Sequence, residues 1–160
     1  MTDAPCAQLD RLPDGFLDCP ANRLKDILPQ PTLFDLPGRD PHPLFVSTLL
    51  HGNETSGLAA VQEILRRHAA RGLNRSLILF IGNVDAAAAN VRTLPSQRDF
   101  NRVWRGTAFP DDPLAHMARW IYEYVEKRRA FAAVDIHNNT GFNPHYSCIS
   151  RLEPKYVALA

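Results

Sequence analysis

Three short apolar runs, each separated from the next by a segment of helical periodicity, restrict the folding of this chain more than any other feature. Residues 44–50 (LFVSTLL), 76–81 (SLILFI) and 131–136 (FAAVDI) are rich in β-forming residues and too short for buried helices. Between them, Leu58, Val61, Ile64, Leu65 and His68 share one helical face, and Gly72 supplies a stop. Asp85 can cap a short alanine-rich helix that runs to about Val91. Asp112-Pro113 then opens a longer helix with Leu114, Met117, Ile121, Tyr124, Val125 and Arg128 as its inward stripe. Strands alternating with helices predict an α/β fold, a mixed and largely parallel sheet flanked by helices. Residues 145–150 are a candidate fourth strand.

The segment before this pattern is different. Residues 1–43 hold eight of the thirteen prolines, which remove backbone donors and disfavour helix at the preceding residue. They read as an irregular lead-in packed against residues 44–160, with one or two helical turns over 21–28 and an edge strand over 32–36. At 45% hydrophobic and 22% charged, the 160 residues suit one globular domain. A net charge of +1 gives no electrostatic case for nucleic acid or an anionic membrane as partner. No apolar stretch approaches the roughly 20 residues of a membrane span, and no secretory leader is visible. Cys6, Cys19 and Cys148 form no C-x-x-C and read as reduced thiols of a cytoplasmic protein.

The chemistry collects where these strands end. His51-Gly52-Asn53-Glu54 follows the first run, with Gly52 expected to let the backbone turn sharply. An imidazole and a carboxylate three positions apart then project from the carboxyl end of a strand, where α/β sheets place their ligands. His137 follows the third run. Two histidines and one glutamate are a usual protein ligand set for a catalytic zinc, which keeps one coordination position open. In the polar loop after the second strand, Asp99-Phe100-Asn101-Arg102 offers a guanidinium suited to a bidentate carboxylate grip, with Asn101 beside it. Asp99 can accept the free N–H of a zinc-bound imidazole. The plainer reading is a solvated charged loop. His42, His68, His116 and His145 lack ligand partners at useful spacing. A nucleotide site or a serine hydrolase is disfavoured, because no glycine-rich phosphate loop and no G-x-S-x-G elbow occurs.

H-G-N-E, D-F-N-R and D-I-H-N-N-T-G, in that order, together resemble the zinc carboxypeptidase superfamily, and more closely its succinylglutamate desuccinylase/aspartoacylase branch. The resemblance implies one zinc ion on His51, Glu54 and His137, with Asp99 supporting His51. It implies that Asn101 and Arg102 hold a substrate carboxylate. It also implies that Arg92 polarises the scissile carbonyl and that Asn83 is a pocket residue. The family's general-base glutamate lies well downstream of the last zinc histidine. By that comparison Glu153 is too close to be it, and the chain is expected to be the N-terminal part of a larger catalytic domain.

The expected activity is zinc-dependent hydrolysis of an amide or peptide C–N bond next to a free carboxylate, on a peptide C-terminus or an N-acyl amino acid. The alternative is a non-catalytic zinc-binding module that recognises carboxylate ligands.

Overall fold

Ile78, Leu79, Phe80 and Ile81 are completely buried, because strand β4 (Leu73–Ile81) lies inside the sheet with cover on both faces. The computed structural model describes residues 5–139 and 141–160. Its other strands are β1 (Ala7–Leu9), β2 (Thr32–Leu36), β3 (Gly38–Thr48) and β5 (Ala132–Ile136). The order across the sheet is β1-β2-β4-β3-β5. Among the described residues only the β2–β4 pairing is antiparallel; β1–β2, β3–β4 and β3–β5 are parallel. The protein therefore has the expected α/β fold with a mixed, largely parallel sheet.

Successive strand residues face opposite ways, and the two cores divide accordingly. Phe34, Val46, Leu79 and Ile81 meet Leu58, Val61 and Leu65 of helix α1 (Ser56–His68). Two 3-10 turns, Phe16–Asp18 and Ala21–Asp26, pack with that core. The buried Gln62 amide donates to the carbonyls of Phe16 (2.7 Å) and Cys19 (2.8 Å), fixing the proline-rich segment to α1. Leu33, Phe45, Ile78 and Phe80 face the other way, onto Met117 and Ile121 of the helix over Pro113–Lys127. Each such side chain contributes roughly 1.5–3 kcal/mol by leaving water. That long helix is α3; α2 (Val84–Ala88) precedes it and α4 (Pro154–Leu159) follows β5.

Four local expectations change. Residues 32–36 form a strand inside the sheet, between β1 and β4, rather than at its edge. β3 begins at Gly38, and its register against β4 shifts between Asp40 and Leu44, where Pro41 and Pro43 cannot donate to the ladder. Asn83, not Asp85, caps α2 by accepting the Ala86 N–H (3.1 Å), while Asp85 pairs with Lys25 at 2.5 Å. Residues 145–150 form no strand and are largely exposed.

β3 stops at Thr48 because Leu49 turns into the left-handed region (φ 57°), a rare conformation for a bulky residue. The turn is held by bonds from the Gly82 N–H to Thr48 O (3.2 Å) and from the Asn83 N–H to Leu49 O (2.7 Å). The turn expected at Gly52 is present without a positive φ, the Glu54 N–H bonding His51 O at 3.1 Å. Gly52 serves close approach: a Cβ on it would lie 2.1 Å from the Ala86 carbonyl carbon.

Candidate metal centre

The carboxyl ends of β3 and β5 bring His51, Glu54 and His137 together, with one candidate ligand atom from each lying within 4.8 Å of the others. Glu54 is at the middle. Its Oε1 is 2.8 Å from His51 Nδ1 and accepts from Arg92 at 3.2 Å. Its Oε2 is 2.9 Å from His137 Nδ1 and accepts the Asn138 N–H at 3.0 Å. His51 is buried to 1% exposure and Glu54 to 8%, so neither is a solvated surface group.

The opposite nitrogen of each imidazole also has a carboxylate. His51 Nε2 lies 2.9 Å from Asp99 Oδ1, and His137 Nε2 lies 2.5 Å from Asp135 Oδ2. Asp135, on β5, faces the same way as His137, which lies just past the strand's end, and its register partner Ser47 on β3 donates to Oδ1 at 2.7 Å. The sequence reading missed Asp135. The available signal was the two-residue spacing in Asp135-Ile136-His137, which puts both side chains on one face of a strand.

These contacts test whether a metal fits. An imidazole that donates Nε2–H to a carboxylate presents a lone pair at Nδ1, and both Nδ1 atoms point at anionic Glu54. Such a contact is repulsive unless a proton or a cation lies between. With both imidazoles neutral, the carboxylates of Glu54, Asp99 and Asp135 outnumber the Arg92 guanidinium by two charges. A divalent ion balances that excess, and a nitrogen–oxygen–nitrogen donor set suits zinc. With no metal, a proton takes that role at His137. The hydrogen bond to Asp135 raises the His137 pKa to about 9 against the opposing effect of burial, with the Asp135 charge and Glu54 adding to the rise. Burial works against the Asp99 carboxylate. Its bonds from His51 and the Asn101 N–H, with the charges of His51 and Arg92, outweigh that and hold its pKa below the usual range.

Arg92, half-exposed, spans Glu54 Oε1 and Asp99 Oδ2 (3.3 Å), and its carbonyl accepts the Gly52 N–H at 3.0 Å. Asp99 also caps the 3-10 turn Phe100–Arg102. Asn101 lines a cleft of about 220 Å³ with Phe45, Ser47, Trp104 and Asp135. Arg102 is exposed and lines a second cleft, of about 410 Å³, with Gln97, Arg98, Asp99 and Phe109 among its walls. Among the described residues, no carboxylate lies within ion-pair distance of Arg102. Asn83 is buried, its amide paired twice with Gln97, at 2.8 and 3.1 Å.

Fold and site together define a class: α/β proteins with a histidine–glutamate–histidine donor set at the carboxyl ends of a largely parallel sheet. Within that class, the chain belongs to the succinylglutamate desuccinylase/aspartoacylase family, whose catalytic-domain model matches residues 42–154. It is similar to the crystal structure of the succinylglutamate desuccinylase from Chromobacterium violaceum, with 28% identity and a TM-score of 0.50. The match covers 62% of this chain and 34% of that one, so this chain spans about a third of the neighbour's length. No curated protein matches it significantly.

Proposed function

We propose that residues 44–160 belong to the catalytic domain of a zinc-dependent hydrolase that cleaves an amide C–N bond beside a free carboxylate, with small N-acyl amino acids as substrates. The observation that carries this reading is the convergence of two imidazole Nδ1 atoms on Glu54 while both Nε2 atoms are anchored on carboxylates. His51, Glu54 and His137 would hold one zinc ion. When bound, zinc supplies Lewis acidity, which polarises a carbonyl and acidifies water.

The remaining steps fall to side chains. Arg102, without a carboxylate partner among the described residues, takes the substrate carboxylate, and Asn101 adds a donor from the adjoining cleft wall. Arg92 sits between Glu54 and Asp99, close enough to the ligand set to stabilise charge developing on a carbonyl oxygen. Asn83 serves the pocket through Gln97, a wall residue of the larger cleft. Proton transfer to the leaving nitrogen needs a group beyond Glu54, Asp99 and Asp135, since each of these is tied to an imidazole. Among the described residues, no helix is long and apolar enough to cross a membrane. Three free cysteines support a cytoplasmic location.

That engagement of all three carboxylates also favours a second reading, a non-catalytic zinc module that captures carboxylate ligands. Metal analysis with a panel of N-acyl amino acids and dipeptides separates the possibilities. Stoichiometric zinc with turnover that is lost in His51→Ala supports the hydrolase, and preference within the panel distinguishes deacylation from carboxypeptidase-type cleavage. Zinc and ligand binding without turnover supports the module. A wild-type protein that binds no zinc sinks both.

A further inference from the structure

Asp135 anchors His137 in the reading above, and both of its oxygens are committed. Oδ2 faces His137 Nε2 at 2.5 Å, and Oδ1 accepts the Ser47 hydroxyl at 2.7 Å. Ser47 and Asp135 are directly paired across β3 and β5, so sheet register fixes where the carboxylate stands. The other histidine is supported in the same manner. His51 Nε2 rests on Asp99, whose carboxylate is itself held by the Asn101 N–H (2.7 Å) and by Arg92.

An imidazole has two neutral tautomers, and Asp135 selects between them. If Nδ1 carried the proton, the Nε2 lone pair would face a carboxylate oxygen at 2.5 Å, which is repulsive. With the proton on Nε2, that contact becomes a charge-assisted hydrogen bond, and the Nδ1 lone pair is free on the side of Glu54. We propose that Asp135 is the positioning residue for His137, fixing its tautomer and ring orientation for metal ligation, and that Ser47 holds the Asp135 carboxylate in the plane this requires. The proposal rests on the zinc reading above. It adds that β3 contributes to the β5 ligand through Ser47, besides leading to His51 and Glu54 at its own end.

The test compares Asp135→Ala, Asp135→Asn and Ser47→Ala with the wild-type protein. Zinc affinity is measured by competition with a chromophoric chelator. Proton NMR of the cobalt-loaded protein then reports the solvent-exchangeable imidazole N–H signals. The wild type should show two shifted N–H signals, one per histidine. Asp135→Ala should weaken zinc binding about 10–100-fold and lose one signal to solvent exchange. Asp135→Asn keeps an acceptor and should retain the signal, with an intermediate affinity. Ser47→Ala should bind zinc less tightly than wild type and exchange the same proton faster.

An Asp135→Ala protein of native circular dichroism that keeps wild-type affinity and both signals overturns the proposal. If Asp135→Ala does not fold, Ser47→Ala decides, and unchanged affinity and exchange in it would be equally fatal. Failure of the wild type itself to take up zinc or cobalt rejects the underlying zinc reading, an outcome visible before any variant is compared.

Discussion

Asp99 Oδ1 lies 2.9 Å from His51 Nε2 and also accepts the Asn101 N–H at 2.7 Å, so one oxygen ties the His51 imidazole to the turn that carries Arg102. The proposed metal and carboxylate-binding elements are thereby set relative to each other, although 48 residues separate His51 from Asp99. Asp99→Ala is expected to lower zinc affinity about 10–100-fold and, through the loosened turn, to raise KM. Titration calorimetry with zinc and steady-state kinetics check the two effects separately. An unchanged zinc affinity would detach Asp99 from the metal.

Arg102→Ala should leave zinc content intact and weaken binding of the carboxylate substrate. A hydrogen-bonded charge of this kind is worth about 1.5–3 kcal/mol, which corresponds to a rise of roughly 10–100-fold in KM. Arg102→Lys should recover only part of the loss, because an ammonium cannot make two parallel bonds to a carboxylate. Equal KM values in all three proteins would mean the carboxylate is held elsewhere.

Gly52→Ala tests packing without touching a ligand. The new methyl would lie 2.1 Å from the Ala86 carbonyl carbon and 2.2 Å from the Ala87 nitrogen, both backbone atoms that cannot swing aside. Separating α2 from the His51 turn should cost about 1–3 kcal/mol, read as a lower melting temperature in the metal-free protein.

Cys6 is buried, and burial pushes its thiol pKa up from 9.0 to about 12, only partly opposed by a backbone hydrogen bond involving Leu33. At pH 8 it should resist a thiol reagent until the protein unfolds, whereas exposed Cys148 should react at once. The neutral thiol also makes a sign prediction. Its contribution to stability is fully present below pH 9 and declines as pH rises toward 12, so Cys6→Ala should flatten the alkaline part of the stability curve.

Sequence pattern revealed the parallel layers because buried strands are continuous apolar runs, and residues 76–81 could hardly be anything else. It gave β2 as an edge strand and concealed the first six residues of β3, since prolines at 41 and 43 mask pairing that tolerates a register shift. His51, Glu54 and His137 were legible from their places at strand ends. Asp135 was not, because a charged residue inside an apolar run reads as a solvent-facing interruption until its cross-strand partner is known. Asn83 was misassigned locally for a similar reason: asparagine and aspartate both cap helices, and only the geometry shows that the residue two positions earlier does so.

His137 lies 83 residues beyond Glu54 and meets it only through the alignment of β5 against β3. During synthesis, therefore, the complete donor set does not exist until β5 has emerged and docked. A metal ion arriving earlier finds only the local His51–Glu54 pair. On the zinc reading proposed above, tight loading is a late event in maturation, and an occupied site would certify that the most distant pairing in the sheet has formed in register.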